Sequence, residues 1–531
     1  MRPMPEEVPT LTGRTRLVVG VAVGVVLAAG LLLRFWTRSA LWLDEAQTVD
    51  IARLPLHAIP SALEHDGAPP LYYYLLHFWI ALLGQSNAAV RSLSGLIAVI
   101  TLPVAWLCGR RLGGRAVAWT VLVLVATAPF AVFYATASQM YALVILLTGC
   151  GYLALSRAVA TPRPGNLVAV GAVVAALLYT QYWSIYLVGV VGLWLIVAVV
   201  RRRREGHPDA APWPALVAVV LGCLLFIPWV PTLFYQIRHT GTPWAVPANV
   251  SQLVTVLTGF ATNQGSTLAS GTNQARLLSV IYFVLLALAL FGLGRSGRMI
   301  ELDLRTRPRS RSLAVVVLGT LLVALLGGIV TDTAFSTRYA AVVFLPFVLL
   351  VALGSMTLLN PKARVVVVGL AAVAGLVSSA QNITTQRTQA TAVASAINEQ
   401  AKPGDVIAFC PDQLGPSVYR QIDDPSQYDM ITFPRRTGPQ IVDWVDYADA
   451  VNRADPGAFA TDVAQKAGTS HHLWLVWQPM YKKYGVKCET IAADLQAAAT
   501  KNGGSGRVVV TGHTLLYSEP MSLSVYAGAG S

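Results

Sequence analysis

Long apolar stretches alternate along this chain with short segments that hold most of its charge. Stretches of spanning length lie at 17–36, 88–108, 115–133, 139–158, 166–183, 184–200, 213–234, 276–294, 313–331, 339–358 and 365–380. A bilayer core takes about 20 helical residues to cross, so the pattern predicts a polytopic α-helical membrane protein with about 11 transmembrane helices. A further apolar run, 69–84, is shorter, opens on a proline pair and crowds aromatic residues from Tyr72 to Trp79. It reads as an amphipathic helix lying in the interface, within a loop spanning 37–87.

After about residue 381 the rhythm changes. "GDVIAFC", "DMITFP", "HLWLVWQ", "GRVVVTGH" and "SLSVYAG" read as strands, and helical patterns lie between them at 388–401, 443–466 and 489–501. Residues 1–380 are therefore expected to form the membrane domain and 381–531 a small α/β domain.

Charge fixes the expected orientation. The chain is 55% hydrophobic and 12% charged, with a formal net charge of +13, against about 25% charged residues in a soluble domain. The basic residues cluster between apolar runs, in "GRRLGGR", "RRRREGHP" and "RSGRMIELDLRTRPRSRS". That distribution is the positive-inside pattern and gives no reason to expect nucleic acid as a partner. Leaving 69–84 out of the spans puts every arginine-rich loop inside. The expectation is a multi-pass plasma-membrane protein with a cytoplasmic N-terminus and an extracytoplasmic C-terminal domain. The first run is long enough to span and lacks a small-residue cleavage site, so it reads as a helix rather than a signal peptide. Of the five cysteines, Cys108, Cys150 and Cys223 fall in or beside spans, whereas Cys410 and Cys488 fall in the outer domain. An oxidising compartment permits a Cys410–Cys488 bridge, which is expected.

Candidate chemistry gathers at the outer ends of the spans. "LWLDEAQTVD" sets Asp44 and Glu45 beside hydrocarbon, a costly placement that suggests function, although acids also favour the first turn of a helix. The same loop adds Glu64, His65 and Asp66. Tyr134, Gln139 and Tyr141 flank one outer turn, Gln181 sits in another, and Asp332, Arg338 and Tyr339 end a helix. An arginine entering an apolar span needs an anion: a lipid phosphate fits its fork, and snorkelling or a pair with Asp332 would also serve. His471-His472 lack a third ligand nearby and read as surface residues.

Six elements occur in order: "LWLDEA", "PPLYYYLLHFW" with "LGQSNAAVRSLSG", "GRRLGGR", "FYATASQMYAL", "LYTQYW" and "FSTRY". Together they resemble the GT-C membrane glycosyltransferases related to the protein O-mannosyltransferases and the lipid A aminoarabinose transferase, over roughly residues 17–360. The resemblance implies transfer of a sugar from a polyprenyl-phosphate carrier to a hydroxyl on the outer face. It makes Asp44 the catalytic base and gives Glu45 a part in holding the acceptor or orienting Asp44. The pattern departs at Ala68, where relatives often carry Lys or His. It departs again at Ala137 and Gln139, in place of an acid and an arginine, and at Gln181, in place of a histidine.

A sugar on a phosphate carrier already has a good leaving group, so one base suffices and the anomeric centre inverts. Arg338 is the first candidate to stabilise the departing phosphate, with Arg91 and His65 behind it; Tyr339, Tyr72, Gln139, Tyr141 and Gln181 complete the expected donor site. Glu45, Asp66 and Trp444 are expected to hold the acceptor. A divalent cation on Asp44 or Glu45 is possible, although no ligand cluster predicts one, and metal independence is expected. Mannose is the first expected sugar and arabinofuranose the second, with an envelope glycan or lipoglycan as acceptor. Two other classes stay open: a catalytically inactive homologue that binds glycan, and a lipid or sugar transporter, whose ionisable residues would gather at mid-bilayer.

Overall fold

The computed structural model describes residues 13–205, 212–241, 248–262, 272–294, 299–303, 307–331, 333–479, 481, 483–513 and 517–527. Among them, helices long and apolar enough to cross a membrane are Gly13–Leu33, Asn87–Thr127, Tyr141–Ala160, Trp183–Arg204, Pro212–His239, Asn273–Phe291, Ser310–Thr331 and Pro361–Thr384. The 41-residue helix would be about 60 Å long if straight, twice a bilayer core. It folds back at Gly113 and Gly114, whose backbone is not helical. Gly114 has φ +81°, and a Cβ on Gly109 would lie 2.8 Å from the Ala118 Cα, so the two halves pack backbone to backbone. "GRRLGGR" is thus a hairpin between two predicted spans. Pro164–Leu178 and Ala341–Ser355 are shorter apolar helices that fill two further predicted stretches.

Ala341–Ser355 is apolar all round because it is buried all round, at the centre of the bundle. Phe344 and Phe347 meet Phe130, Phe260 and Tyr282 there. Outer helices instead keep apolar side chains exposed, among them Leu17, Val21 and Val25 on the first, as a lipid-facing surface requires. The chain is a multi-pass helical membrane protein.

Between the first two spans, residues 37–87 form three short helices, Leu43–Ala52, Ile59–Asp66 and Leu71–Leu83. The third is 13 residues long, about 20 Å and too short to span. It buries Tyr72, Tyr73 and Leu76 and leaves Phe78, Leu82 and Leu83 exposed. Gly67, at φ +83°, ends the second in the left-handed conformation that glycine adopts most readily.

A small hairpin, β1 (Gly292–Gly294) with β2 (Ile300–Leu302), precedes the C-terminal domain. In that domain β3 (Val406–Cys410), β4 (Asp429–Thr432), β5 (Leu473–Trp477), β6 (Gly506–Val510) and β7 (Ser522–Tyr526) form one sheet in the order β4-β3-β5-β7-β6. β3 runs parallel to β4 and β5, and β7 antiparallel to β5 and β6. Alternation sends Val406, Ala408 and Cys410 to one core and Ile407 and Phe409 to the other, so the interior strand β3 is apolar throughout. Trp474 is core, whereas Trp477 is only partly buried. Cys410 and Cys488 are joined in a disulfide. The helical pattern at 443–466 resolves into Tyr447–Arg453 and Pro456–Ala467, because Asp455 caps a new helix with Pro456 at its start.

Candidate active site

Every residue of Leu43–Ala52 is buried except Asp44. Neighbouring helical residues point about 100° apart, so the two carboxylates separate. Glu45 turns inward. Its Oε1 accepts from Arg91 Nε at 2.8 Å and Ser138 N at 2.9 Å, and its Oε2 from Arg91 Nη2 at 2.6 Å. Arg387 Nη1 approaches Oε2 at 3.5 Å and donates to the Thr136 carbonyl at 2.9 Å. Burial by itself would raise the Glu45 carboxyl, but the two guanidiniums outweigh it and hold the group below its ordinary range.

Asp44 turns instead into a cavity of about 170 Å³. Its Oδ2 accepts from Arg338 Nη1 at 2.5 Å and from Gln139 Nε2 at 3.2 Å. The pair is not sealed: the Arg338 and Asp44 side chains are 19% and 28% exposed. The Arg338 guanidinium also lies over the Tyr339 ring, 5.1 Å from its centre. Asp66 forms another wall, with Oδ1 accepting from Gln47 Nε2 at 2.5 Å and Oδ2 from the Tyr73 hydroxyl at 2.6 Å. Burial pushes the Asp66 carboxyl up and the charge of Asp44 adds to the shift, while these two hydrogen bonds oppose it. Trp444, Tyr141 and the Gly67-Ala68 turn also line the cavity.

The C-terminal domain holds the helix that carries Asp44. Glu519 Oε1 accepts from Leu43 N at 3.1 Å, Val442 N donates to Gln47 Oε1 at 3.1 Å, and Arg420 Nη1 donates to Asp50 Oδ1 at 2.9 Å. Trp444 reaches the cavity because its backbone N–H donates to the His65 carbonyl at 3.0 Å.

Of the residues the sequence singles out, Asp44, Asp66, Gln139, Tyr141, Arg338, Tyr339 and Trp444 line this one cavity. Glu64 and Tyr134 do not line it, and neither do five residues expected in the donor or acceptor site. Glu45 is wholly engaged in its buried network and presents no oxygen to an acceptor or a cation. Arg91 is spent on Glu45 and two carbonyls, so it faces no carrier phosphate in this cavity. Tyr72 bonds Ser94 at 2.8 Å, and its neighbour Tyr73 lines the cavity. His65 pairs with Asp443 at 2.9 Å, and Gln181 sits behind Tyr339, donating to its carbonyl at 3.1 Å. Asp332 lies outside the described residues. Sequence reasoning missed Gln47, Tyr73, Arg387 and Glu519. Gln47 carries a local signal, one helical turn after Asp44; Arg387 and Glu519 arrive from far along the chain. Asp44 and Glu45 do stand in the first turn of a helix, so that simpler reading holds beside the functional one. Among the described residues no three His, Cys, Asp or Glu side chains come together; Asp44 and Asp66 are the carboxylates that line the cavity.

A family model described as dolichyl-phosphate-mannose-protein mannosyltransferase matches residues 67–232, less than half of the chain. No curated protein sequence matches it. Among solved structures, ArnT from Cupriavidus metallidurans bound to undecaprenyl phosphate aligns with a TM-score of 0.59 at 14% identity, over 98% of this chain and 100% of that one. The Archaeoglobus fulgidus oligosaccharyltransferase tethered with an acceptor peptide aligns with a TM-score of 0.50 at 12% identity, over 89% of this chain and 72% of that one. The chain therefore has the GT-C fold, with a sheet-containing C-terminal domain, and the proteins it resembles are glycosyltransferases.

Proposed function

We propose that the Asp44 cavity is the reaction site of a glycosyltransferase that takes its sugar from a polyprenyl phosphate. The observation that carries this reading is the Asp44–Arg338 pair, in which a base and a phosphate-binding fork share one half-open cavity. An incoming carrier phosphate competes for Arg338 with two parallel hydrogen bonds of its own. As it takes the guanidinium, Asp44 is released towards the acceptor. The acceptor oxygen then bonds the anomeric carbon from the face opposite the carrier. The bond from that carbon to the phosphate oxygen breaks, its electron pair stays on the phosphate beside Arg338, and the hydroxyl proton passes to Asp44. One displacement inverts the centre.

Gln139, Tyr141 and Tyr339 surround Arg338 and suit the donor side. Asp66, Tyr73 and Trp444 lie towards the C-terminal domain and suit the acceptor, Trp444 offering a flat face to a sugar ring. Arg157 on Tyr141–Ala160 and Arg201 to Arg204 on Trp183–Arg204 stand at the ends remote from the cavity, which supports a cavity opening on the extracytoplasmic side of the plasma membrane. Mannose is the favoured sugar and arabinofuranose the second, with an envelope glycan or lipoglycan as acceptor.

The test is transfer of labelled sugar by membranes carrying wild type or Asp44→Asn, given polyprenyl-phosphate-mannose or polyprenyl-phosphate-arabinofuranose in parallel. Transfer from one donor, lost in the variant, is expected. Transfer from neither would sink both sugars, and transfer that survives in the variant would remove Asp44 as base.

A further inference from the structure

A second polar cavity, of about 200 Å³, shares no lining residue with the one that holds Asp44. Arg34, Arg38 and Arg91 line it, together with Ser39, Asn87 and Ser92, and no carboxylate does. Arg34 is buried, and among the described residues it has no acidic partner. Its Nη1 donates to the carbonyls of Gly30 at 2.6 Å and Ala126 at 2.8 Å, its Nη2 to that of Val125 at 2.8 Å, and its Nε is buried without a hydrogen bond. The Thr37 hydroxyl beside it is also buried without one. Arg91 is committed to Glu45, and Glu45 is shared with Arg387. Three buried guanidiniums, Arg34, Arg91 and Arg387, thus stand against the single carboxylate of Glu45. Such an excess is costly unless an anion offsets it.

Two further features give the anion its chemistry and its depth. Asn87, Ala88, Arg91 and Ser92 line the cavity from the first turns of Asn87–Thr127, so the positive end of a long helix points the same way as the arginines. The mouth lies just past the end of the first membrane helix, beside Phe35 and Trp36, each 54% exposed, with Arg38 stacked 5.7 Å from the Trp36 ring. Exposed aromatic residues at a helix end mark headgroup level. The planar fork of Arg38, with the unbonded Arg34 Nε and Thr37 hydroxyl in the same lining, matches a phosphate ester at that depth.

We propose that this cavity binds the phosphate of an anionic membrane lipid, at a site separate from the reaction cavity. Because Arg91 belongs both to this lining and to the Glu45 network, the bound lipid braces the helix that carries Asp44. The site stands whatever reaction the other cavity performs.

The experiment uses the full chain purified in detergent, offered phosphatidylglycerol or phosphatidylcholine and weighed by native mass spectrometry. Wild type is expected to retain one phosphatidylglycerol in preference to phosphatidylcholine. Arg38→Glu, an exposed change compatible with folding, is expected to cut that retention by about tenfold, the loss of one charged hydrogen bond. Arg115→Glu makes the same charge change at the hairpin on the other side of the membrane and should bind as wild type does. Equal retention by Arg38→Glu, or an equal loss in Arg115→Glu, would overturn the site. Displacement of the lipid by millimolar inorganic phosphate would mean a free anion and overturn the lipid reading; retention supports it.

Discussion

Asp44 and Glu45 are neighbours in sequence and opposites in environment. Asp44 is the one residue of its helix that is not buried, it lines the cavity, and its arginine partner is itself part-exposed. Glu45 is fully enclosed and accepts from two arginines and a backbone amide. The difference teaches that an acidic pair is not one functional unit. One turn of about 100° assigns one carboxylate to the cavity and the other to the frame that aims it.

The largest test of that contrast is Asp44→Asn. If Asp44 is the base, sugar transfer should fall about 10²- to 10⁴-fold, while the melting temperature of the purified protein stays close to wild type. Glu45→Ala should do the reverse. Removing it strands two buried guanidiniums, a loss of about 3–5 kcal/mol, read as a lowered melting temperature and poor accumulation in the membrane. A stable Glu45→Ala protein that binds donor normally but cannot transfer would break the contrast, because Glu45 would then belong to the chemistry. Arg420→Ala is a smaller test of the same frame. It removes a buried bond from the C-terminal domain to Asp50, which keeps Arg53 at 3.5 Å, so a loss of about 1–3 kcal/mol is expected, measurable by thermal unfolding.

What was legible in the sequence follows how far each signal reaches. Spans and strands are local periodicities, and each predicted strand of the C-terminal domain is found because alternation along five residues already fixes which side faces a core. The split of 443–466 into two helices is written in Asp455-Pro456, a local signal of a new helix start. Asp44 and Arg338 could be nominated because an ion at the edge of an apolar run is costly wherever its partner lies. Their pairing across 294 positions, and the approach of Arg387 and Glu519 behind the helix, depend on how the domains dock. No local pattern encodes that. Of the two parts expected of Glu45, holding the acceptor or orienting Asp44, its burial under Arg91 and Arg387 favours the second, and only what packs on that helix face decides between them.

The smallest expected effect sharpens the contrast through a third carboxylate. Burial pushes Glu519 up to about 8, and the nearby charge of Asp44 works in the same direction, against the hydrogen bond from Leu43 N. An unfolded glutamate titrates near pH 4.3. Between those values the folded chain holds a proton that the unfolded chain has released, so stability should fall as pH rises from about 4.3 to about 8 and level off above. Glu45 has the opposite sign: its stabilisation is present above the unfolded value and is lost only as pH falls below it. Asp412, pushed up to about 7 by burial, adds to the Glu519 slope. Glu519→Gln keeps an acceptor for Leu43 N without the titration. Its melting temperature should match wild type near pH 5 and exceed it by a few degrees near pH 8, with a shallower profile that retains the Asp412 share. Parallel profiles for wild type and Glu519→Gln would mean that Glu519 keeps its charge in the folded protein, and the helix carrying Asp44 would then rest on a carboxylate rather than a carboxylic acid.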